Sequence, residues 1–140
     1  VTNELRTEKT GALASKVAEN SDVRAALLLR QQEFAKKPGL VADGRDMGTK
    51  VFPSAHLKIF LTASIEERAN RRCKQLLEQG ENVSLRALKE LVRSRDERDM
   101  NRKASPLAIA DDAVEIDTSD LSIQEAVDRL QNLAILRGIA

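Results

Sequence analysis

Short apolar runs alternate with longer amphipathic segments along most of the chain. Three runs are bounded by glycine, proline or polar clusters and are too short for a helix, so the pattern predicts β-strands at 40–42, 57–61 and 113–116. Strands that alternate with helices in this way are typical of a parallel α/β sheet with crossover helices. Ligands of such sheets bind beyond the carboxyl ends of the strands, which directs attention to the loop after residue 42.

Apolar residues at helical spacing, together with helix start and stop signals, predict at least five helices. The predicted segments are 8–18, 22–35, 64–80, 84–102 and a last one that begins at 122. The third and fifth begin with Ser64 and Ser122, each followed three residues later by a glutamate, Glu67 or Glu125. This is a capping box, in which the serine accepts from an early amide and the glutamate reaches back. Gly80 is the predicted end of the third helix.

Composition restricts the class of protein more than it identifies one. The 140 residues are enough for one domain with a core, burying roughly 68% of its unfolded surface. The 23 basic and 22 acidic residues nearly cancel, and there are three Phe and no Trp or Tyr, so neither nucleic acid nor an anionic membrane is a predicted partner. Cys73 is the one cysteine, and no apolar stretch reaches the roughly 18 residues of a membrane span, so a cytoplasmic location is predicted.

The stretch GLVADGRDMGTKVFP, residues 39–53, has glycines spaced almost as in a phosphate-binding loop. A Walker A loop needs four residues between its glycines, then Lys, then Ser or Thr opening a helix. Here only three residues separate Gly44 from Gly48, and Thr49 precedes Lys50. The loop is therefore not a Walker A loop, and a surface turn or another kind of ligand loop both remain open.

A second charged stretch, RSRDERDMNR at 93–102, lies in the fourth predicted helix. Arg95, Asp99 and Arg102 fall within roughly 60° of arc on one helix face. One interpretation is a solvated ladder of ion pairs. The other is an anion-binding face, where Asp99 orients the guanidinium groups or accepts hydrogen bonds from sugar hydroxyls.

The remaining candidate polar residues give a weaker indication of function than the two charged stretches do. Arg68, Arg71 and Arg72 lie in the third predicted helix, where a solvent-facing surface is the simplest interpretation. His56 has no cysteine or carboxylate at metal-ligand spacing, so no metal site is predicted.

Taken together, the motifs DGRDMGT at 43–49 and RDxRDxxR at 95–102 resemble bacterial cytidylate kinases, and the resemblance extends over essentially the whole chain. It implies an α/β fold of the P-loop NTPase type, a parallel sheet with flanking helices. It also implies transfer of the γ-phosphoryl group of ATP to CMP or dCMP with Mg²⁺, by a protein that is monomeric when complete. Within one kinase domain, 1–38 would end the monophosphate-binding region, 39–63 would hold core strands, 64–104 the lid helices and 105–140 the last strand and helix.

The resemblance also implies roles for individual residues. A base-reading pair matches Arg24 and Asp46, the sugar is held by residues matching Ser15, Arg95 and Asp99, and arginines matching Arg45 and Arg102 act at the phosphate and in catalysis. Arg71 and Arg68 would lie on the ATP side.

The chemistry of cytosine agrees with an aspartate as the base reader. Cytosine presents an exocyclic amine where uracil presents a carbonyl, so Asp46 would accept from cytosine and repel uracil. A buried carboxylate left against the uracil oxygen would cost on the order of 1–3 kcal/mol.

The family pattern also includes a Walker A loop on the first strand and a small insertion after it, and these 140 residues contain neither. The chain therefore resembles the C-terminal portion of the enzyme. The expectation is that this chain alone transfers no phosphate at a useful rate, and that without the first strand it is either unstable or accompanied by the missing part of the protein.

Two alternatives remain open on the sequence alone. One is a kinase that prefers another pyrimidine monophosphate, such as UMP. The other is a non-catalytic helical module whose arginine faces bind acidic partners or RNA, which predicts binding that depends on salt but not on the identity of the base.

Overall fold

The computed structural model describes residues 7–101 and 105–139. Within them are five α-helices, one π-helical turn and two β-strands. In chain order these are α1 (Glu8–Val17), α2 (Ser21–Gln32), the π-helical turn (Met47–Val51), β1 (Ile59–Thr62), α3 (Ile65–Glu78), α4 (Leu85–Asn101), β2 (Val114–Asp117) and α5 (Ile123–Leu136).

The chain divides into two units that are described separately. The first unit consists of the described residues of Val1–Pro53 and Asp99–Ala108, and the second consists of those of Ser54–Arg98 and Ile109–Ala140. The prediction of one domain with the internal boundaries given above stays a prediction.

The second unit contains a small parallel sheet. Strand β1 pairs with β2 in parallel, with Ile59 opposite Val114 and Thr62 opposite Asp117. Two of the three predicted strands are thus confirmed within two residues at each end. Ile116 is buried, whereas Leu61 on β1 is about half exposed.

The core of the second unit lies between α3 and α4. Ala69, Leu76 and Leu88 are buried together, and Cys73, Val83 and Val92 pack against them. Helix α3 ends at Glu78, within two residues of the predicted end. Gly80 adopts φ +80°, and the next amide, of Glu81, donates to the carbonyl of Leu76 at 2.9 Å. A left-handed residue just past a helix is the usual way to satisfy its last carbonyls.

Only one of the two predicted capping boxes forms in full. At α5 the Ser122 hydroxyl accepts from the Glu125 amide, and the Glu125 carboxylate accepts from the Ser122 amide. At α3, Ser64 accepts from the Glu67 amide, but the Glu67 carboxylate pairs with Arg71 instead of reaching back. The Ser64 amide donates to the hydroxyl of Ser119 at 2.9 Å, so a residue after β2 replaces the expected partner.

In the first unit, helix α1 matches its prediction within one residue, and α2 differs at its end. Asn20 caps α2 by accepting from the amides of Asp22 and Val23, and the helix ends at Gln32, three residues before the predicted end. Lysines 36 and 37 therefore lie beyond the helix.

The predicted strand at 40–42 is wrong. These residues adopt no regular structure, and Val41 is fully exposed. A strand needs a neighbour to take up its backbone hydrogen bonds, and none of the described residues pairs with this segment.

No helix in the described part of the chain is both long and apolar enough to cross a membrane.

Candidate functional site

The loop that follows residues 40–42 holds Asp46 by its main chain. The π-helical turn begins directly after Asp46, and the amides of Lys50 and Val51 donate to the Asp46 carbonyl at 2.9 and 3.2 Å. The Thr49 hydroxyl lies 3.4 Å from the same oxygen. Single π-helical turns are rare and are frequent at functional sites.

Gly44 allows this loop to fold tightly. A Cβ added to Gly44 would lie 3.0 Å from both Cγ and Cε of Met47, the first residue of the turn. That distance is closer than carbon atoms normally approach, so the side chain of Met47 occupies the space that any larger residue would need.

The Asp46 side chain lies at the centre of a buried polar cluster. Asp46 is only 7% exposed. Its Oδ2 atom forms an ion pair with the Arg24 guanidinium and accepts a hydrogen bond from the Ser105 hydroxyl at 2.8 Å. Arg24 also donates to the Ala18 carbonyl at 3.4 Å, which fixes the arginine between α1 and the loop.

A second buried carboxylate lies in the same unit. Asp99 is 3% exposed, near the end of α4. Its Oδ2 atom lies 3.0 Å from NH2 of Arg45, and its Oδ1 atom lies 3.5 Å from the Ser15 hydroxyl, a long hydrogen bond. The Asp99 carbonyl accepts from the Leu107 amide at 2.7 Å, so the main chain is also held.

We call these residues the acceptor cluster: Ser15, Arg24, Arg45, Asp46, Asp99 and Ser105. Each of its carboxylates is almost fully buried and paired with a guanidinium, as a buried charge requires. The arginines are less buried, with 24% of the Arg24 side chain and 37% of the Arg45 side chain exposed. The cluster therefore combines accessible donors that suit a phosphate with shielded acceptors that suit an amine or a hydroxyl.

The structure brings together five of the residues proposed from sequence for the substrate: Ser15, Arg24, Arg45, Asp46 and Asp99. Arg95 lies on α4 one turn before Asp99, in the part of the helix that belongs to the second unit. Arg102 lies outside the described residues.

The two arginines predicted on the ATP side have protein partners in the second unit. Arg68 forms a two-pronged pair with Asp96, at 2.9 and 2.6 Å, and also donates to the Ala63 carbonyl. Arg71 pairs with Glu67 and donates to the hydroxyl and carbonyl oxygens of Thr118. Arg71 thus lies at the carboxyl end of β2, and its role toward ATP stays a prediction.

A polar network continues at this carboxyl end. The Thr118 hydroxyl donates to the Thr62 carbonyl at 3.0 Å and so links the ends of the two strands. The Ser119 hydroxyl donates to Asp117 at 2.6 Å and lowers the pKa of that carboxyl.

Ser105 is the member of the cluster that sequence reasoning missed. It lies 59 residues from its partner Asp46 and belongs to neither motif. A serine before a proline carries no pattern that distinguishes it from a loop residue, so only the fold could identify it.

Mg²⁺ in phosphoryl-transfer sites usually takes one or two carboxylates together with waters and phosphates rather than an all-protein cage. Among residues 7–101 and 105–139, no group of three or more His, Cys, Asp or Glu side chains could hold a metal ion. The carboxylates of the acceptor cluster are already engaged by arginine, which competes directly with a cation.

Comparison with known proteins gives a family match and several similar proteins. The family model described as cytidylate kinase matches residues 1–135. The chain is 54% identical over 140 residues to the cytidylate kinase of Pseudomonas syringae pv. syringae (strain B728a), covering 100% of this chain and 61% of that protein. It is 57% identical over 130 residues to the cytidylate kinase of Colwellia psychrerythraea (strain 34H), covering 93% of this chain and 58% of that protein.

A third relative is the cytidylate kinase of Marinomonas sp. (strain MWYL1), 55% identical over 130 residues, or 93% of this chain and 57% of that protein. The chain thus spans about three fifths of the length of the curated relatives that it matches, 61% in the first case. A family match over residues 1–135, together with identities above 50%, shows that this chain belongs to the cytidylate kinase family.

Proposed function

We propose that the chain forms the acceptor-binding part of a (d)CMP kinase, an enzyme that transfers the γ-phosphoryl group of ATP to CMP or dCMP. The observation that carries the proposal is the buried Arg24–Asp46 pair beside the buried Arg45–Asp99 pair within one unit. Burial of two carboxylates in a small unit costs desolvation free energy. Carboxylates that are buried in spite of this cost indicate a functional role. Base and sugar recognition is such a role.

Asp46 is the residue that reads the base. The two contacts of its side chain, with Arg24 and with Ser105, both engage Oδ2. A carboxylate accepts through two oxygens, so Oδ1 can accept the exocyclic amine of cytosine. The carbonyl of uracil at the same place would face a buried negative charge with no proton between them, which selects CMP over UMP.

Asp99 and Ser15 can bind the sugar, and Arg45 the phosphate. The Asp99 carboxylate and the Ser15 hydroxyl lie close enough to share one sugar hydroxyl, because their oxygens are 3.5 Å apart. Arg45 uses NH2 for Asp99, and its other N–H groups can donate to phosphate oxygens. By family resemblance, Arg95 joins the sugar site, and Arg102 acts with Arg45 at the transferring phosphoryl group.

The contribution of these residues to catalysis is positioning and charge neutralisation. The transferring phosphoryl group spreads negative charge over its oxygens, and fixed guanidinium groups lower the energy of that state. Arg45 is held by a buried carboxylate, so it reorganises little during the reaction. ATP and Mg²⁺ belong to the proposal through the family, as do a P-loop NTPase fold, a monomeric state and a cytoplasmic location. Among the described residues no group of three or more His, Cys, Asp or Glu side chains could hold a metal ion, and Mg²⁺ bound with ATP would neutralise charge on the phosphates.

The test compares CMP and UMP as acceptors for the complete gene product. Asp46→Asn keeps the side-chain shape but adds a donor that can satisfy the uracil carbonyl. We expect the ratio of kcat/KM for CMP to that for UMP to fall by roughly tenfold or more, the factor that corresponds to about 1.4 kcal/mol.

The matched control is Asp120→Asn, because Asp120 is exposed and outside the cluster. It should leave both acceptors unaffected. An Asp46→Asn enzyme that keeps the CMP preference of the parent would refute the assignment of Asp46. A parent enzyme that phosphorylates neither CMP nor dCMP would refute the proposed function itself.

A further inference from the structure

Ser105 has an unusual backbone conformation for a residue with a side chain. Its φ angle is +53°, in the left-handed region, which glycine adopts far more readily than serine. Residues other than glycine that are held there are over-represented at functional sites, because surrounding contacts must compensate for the strain. One such contact is the hydrogen bond of 2.8 Å that its hydroxyl donates to Oδ2 of Asp46.

The chemistry of this hydrogen bond is directional. A serine hydroxyl has a single proton, and Ser105 donates it to an ionised oxygen, which makes the bond charge-assisted. The ion pair with Arg24 engages the same oxygen. The Arg24 side chain keeps 24% of its surface exposed and is therefore not fully held by packing. A second donor on Oδ2 restricts rotation of the carboxylate more than Arg24 does alone.

We propose that Ser105 is a specificity-determining positioning residue, whose hydroxyl holds the Asp46 carboxylate so that Oδ1 is directed to the pyrimidine amine. The proposal deepens the proposed function and rests on it. Ser105 acts through Asp46 and need not touch the nucleotide. Its loss should therefore affect the choice between cytosine and uracil more than the rate of phosphoryl transfer.

Two substitutions separate the hydroxyl from the backbone conformation. Ser105→Ala removes the hydroxyl and retains the strained φ, whereas Ser105→Gly removes the hydroxyl and relieves the strain. If the hydroxyl positions Asp46, both variants of the complete gene product should lower the CMP to UMP ratio of kcat/KM about fivefold to tenfold, mainly through KM for CMP. If only the backbone conformation mattered, the glycine variant would keep the parental ratio.

A double-mutant cycle with Asp46→Asn adds a readout that a purely structural role would not affect. Once Asp46 is asparagine, removing the Ser105 hydroxyl should change the ratio less than twofold, because the two residues act through one contact. Ser54→Ala is the matched control, since Ser54 is exposed and lies outside the acceptor cluster. Thermal melting of each variant checks that a changed ratio does not follow from unfolding.

The outcomes separate the two proposals. A parent enzyme that prefers CMP, with Ser105 variants that keep this preference, would overturn the role of Ser105 and leave the proposed function standing. Ser105 variants that lose activity on CMP and UMP equally would overturn it as well. A parent enzyme that shows no (d)CMP kinase activity would instead overturn the proposed function.

Discussion

The two units differ in what they bury. In the described part of the first unit the buried residues are Asp46, Val51 and Asp99, so two of the three are charged. In the second unit the buried set is mainly apolar, and its centre is Ala69, Leu76 and Leu88. Charged interiors depend on exact pairing, whereas apolar interiors depend on area and packing.

This difference indicates that apolar packing stabilises one unit and that charge pairing organises the other. The second unit contains the sheet and the helix pair whose packing the hydrophobic effect stabilises. The described part of the first unit has few buried apolar side chains, and its buried carboxylates are paired with guanidinium groups, in Arg24–Asp46 and Arg45–Asp99. A region organised in this way should respond to ligand, salt and single charge changes much more than its neighbour does.

The largest expected effect is on the stability of the second unit. Leu88 is 3% exposed, so Leu88→Ala should lower the free energy of unfolding by about 2–5 kcal/mol through lost contacts and a residual cavity. Leu91 lies on the same helix but is 51% exposed, so Leu91→Ala should cost less than about 1 kcal/mol. Urea denaturation of the complete gene product measures both, and equal losses would contradict an apolar core at this place.

Next in size is the effect of a single charge in the first unit. Asp99→Asn removes the negative charge that orients Arg45, and it should weaken CMP binding by about 1–3 kcal/mol. The Leu88 core lies in the other unit and should not be affected. Calorimetric titration with CMP checks the affinity, and Asp120→Asn is the control. An Asp99→Asn protein with parental affinity would exclude Asp99 from the site.

Salt should produce a smaller difference between the units. Raising NaCl from about 0.05 to 0.5 M shortens the screening length from roughly 14 to 4 Å. We expect CMP affinity to fall by roughly threefold to tenfold, since Arg45 and Arg24 remain partly exposed to solvent. The stability contributed by the Leu88 core should stay constant or rise. A CMP affinity that does not depend on NaCl concentration would indicate that arginine contacts with the phosphate contribute little to binding.

The smallest predicted effect concerns pH. The Ser122 hydroxyl and amide donate to Glu125, and the side-chain hydrogen bond is the main reason that the pKa of Glu125 is lowered. A carboxyl with a lowered folded-state pKa stabilises the fold above its ordinary pKa, and this contribution is lost as the pH falls through the folded value.

The protection of the first amides of α5 against hydrogen exchange, relative to the intrinsic rate at each pH, should therefore fall in acid before that of the Leu88 core. In Ser122→Ala the capping hydroxyl is absent, so the first amides of α5 should already have lost this protection at neutral pH. Acid protection of these amides that equals that of the core would show that the capping box does not hold the helix end.

Local signals in the sequence predicted the helices well, because caps, glycines and apolar spacing act within a few residues. Gly80 and Ser122 are examples, since each fixes a helix end through neighbours in the chain. The strand at 40–42 failed because a strand is a property of a pair, and the apolar run alone does not supply the partner.

The sequence named some members of the acceptor cluster, and their role as a site stays a prediction. The resemblance named Asp46 and Asp99, but the pairing of Asp99 with Ser15 spans 84 residues of sequence, and no local pattern encodes it. Helix periodicity placed Asp99 between Arg95 and Arg102 as a possible surface ladder. The structure instead buries Asp99 against Arg45, which comes from a different segment. Ser105 could not be identified from sequence at all, because its position depends on the fold.

A crystal structure of the complete gene product with CMP tests the central claim most directly. The account predicts the exocyclic amine of cytosine about 2.8–3.2 Å from Oδ1 of Asp46, the Ser105 hydroxyl still on Oδ2, and phosphate oxygens within hydrogen-bond distance of Arg45. A cytosine amine that contacts other residues while the Arg24–Asp46 pair lies away from the base would contradict it.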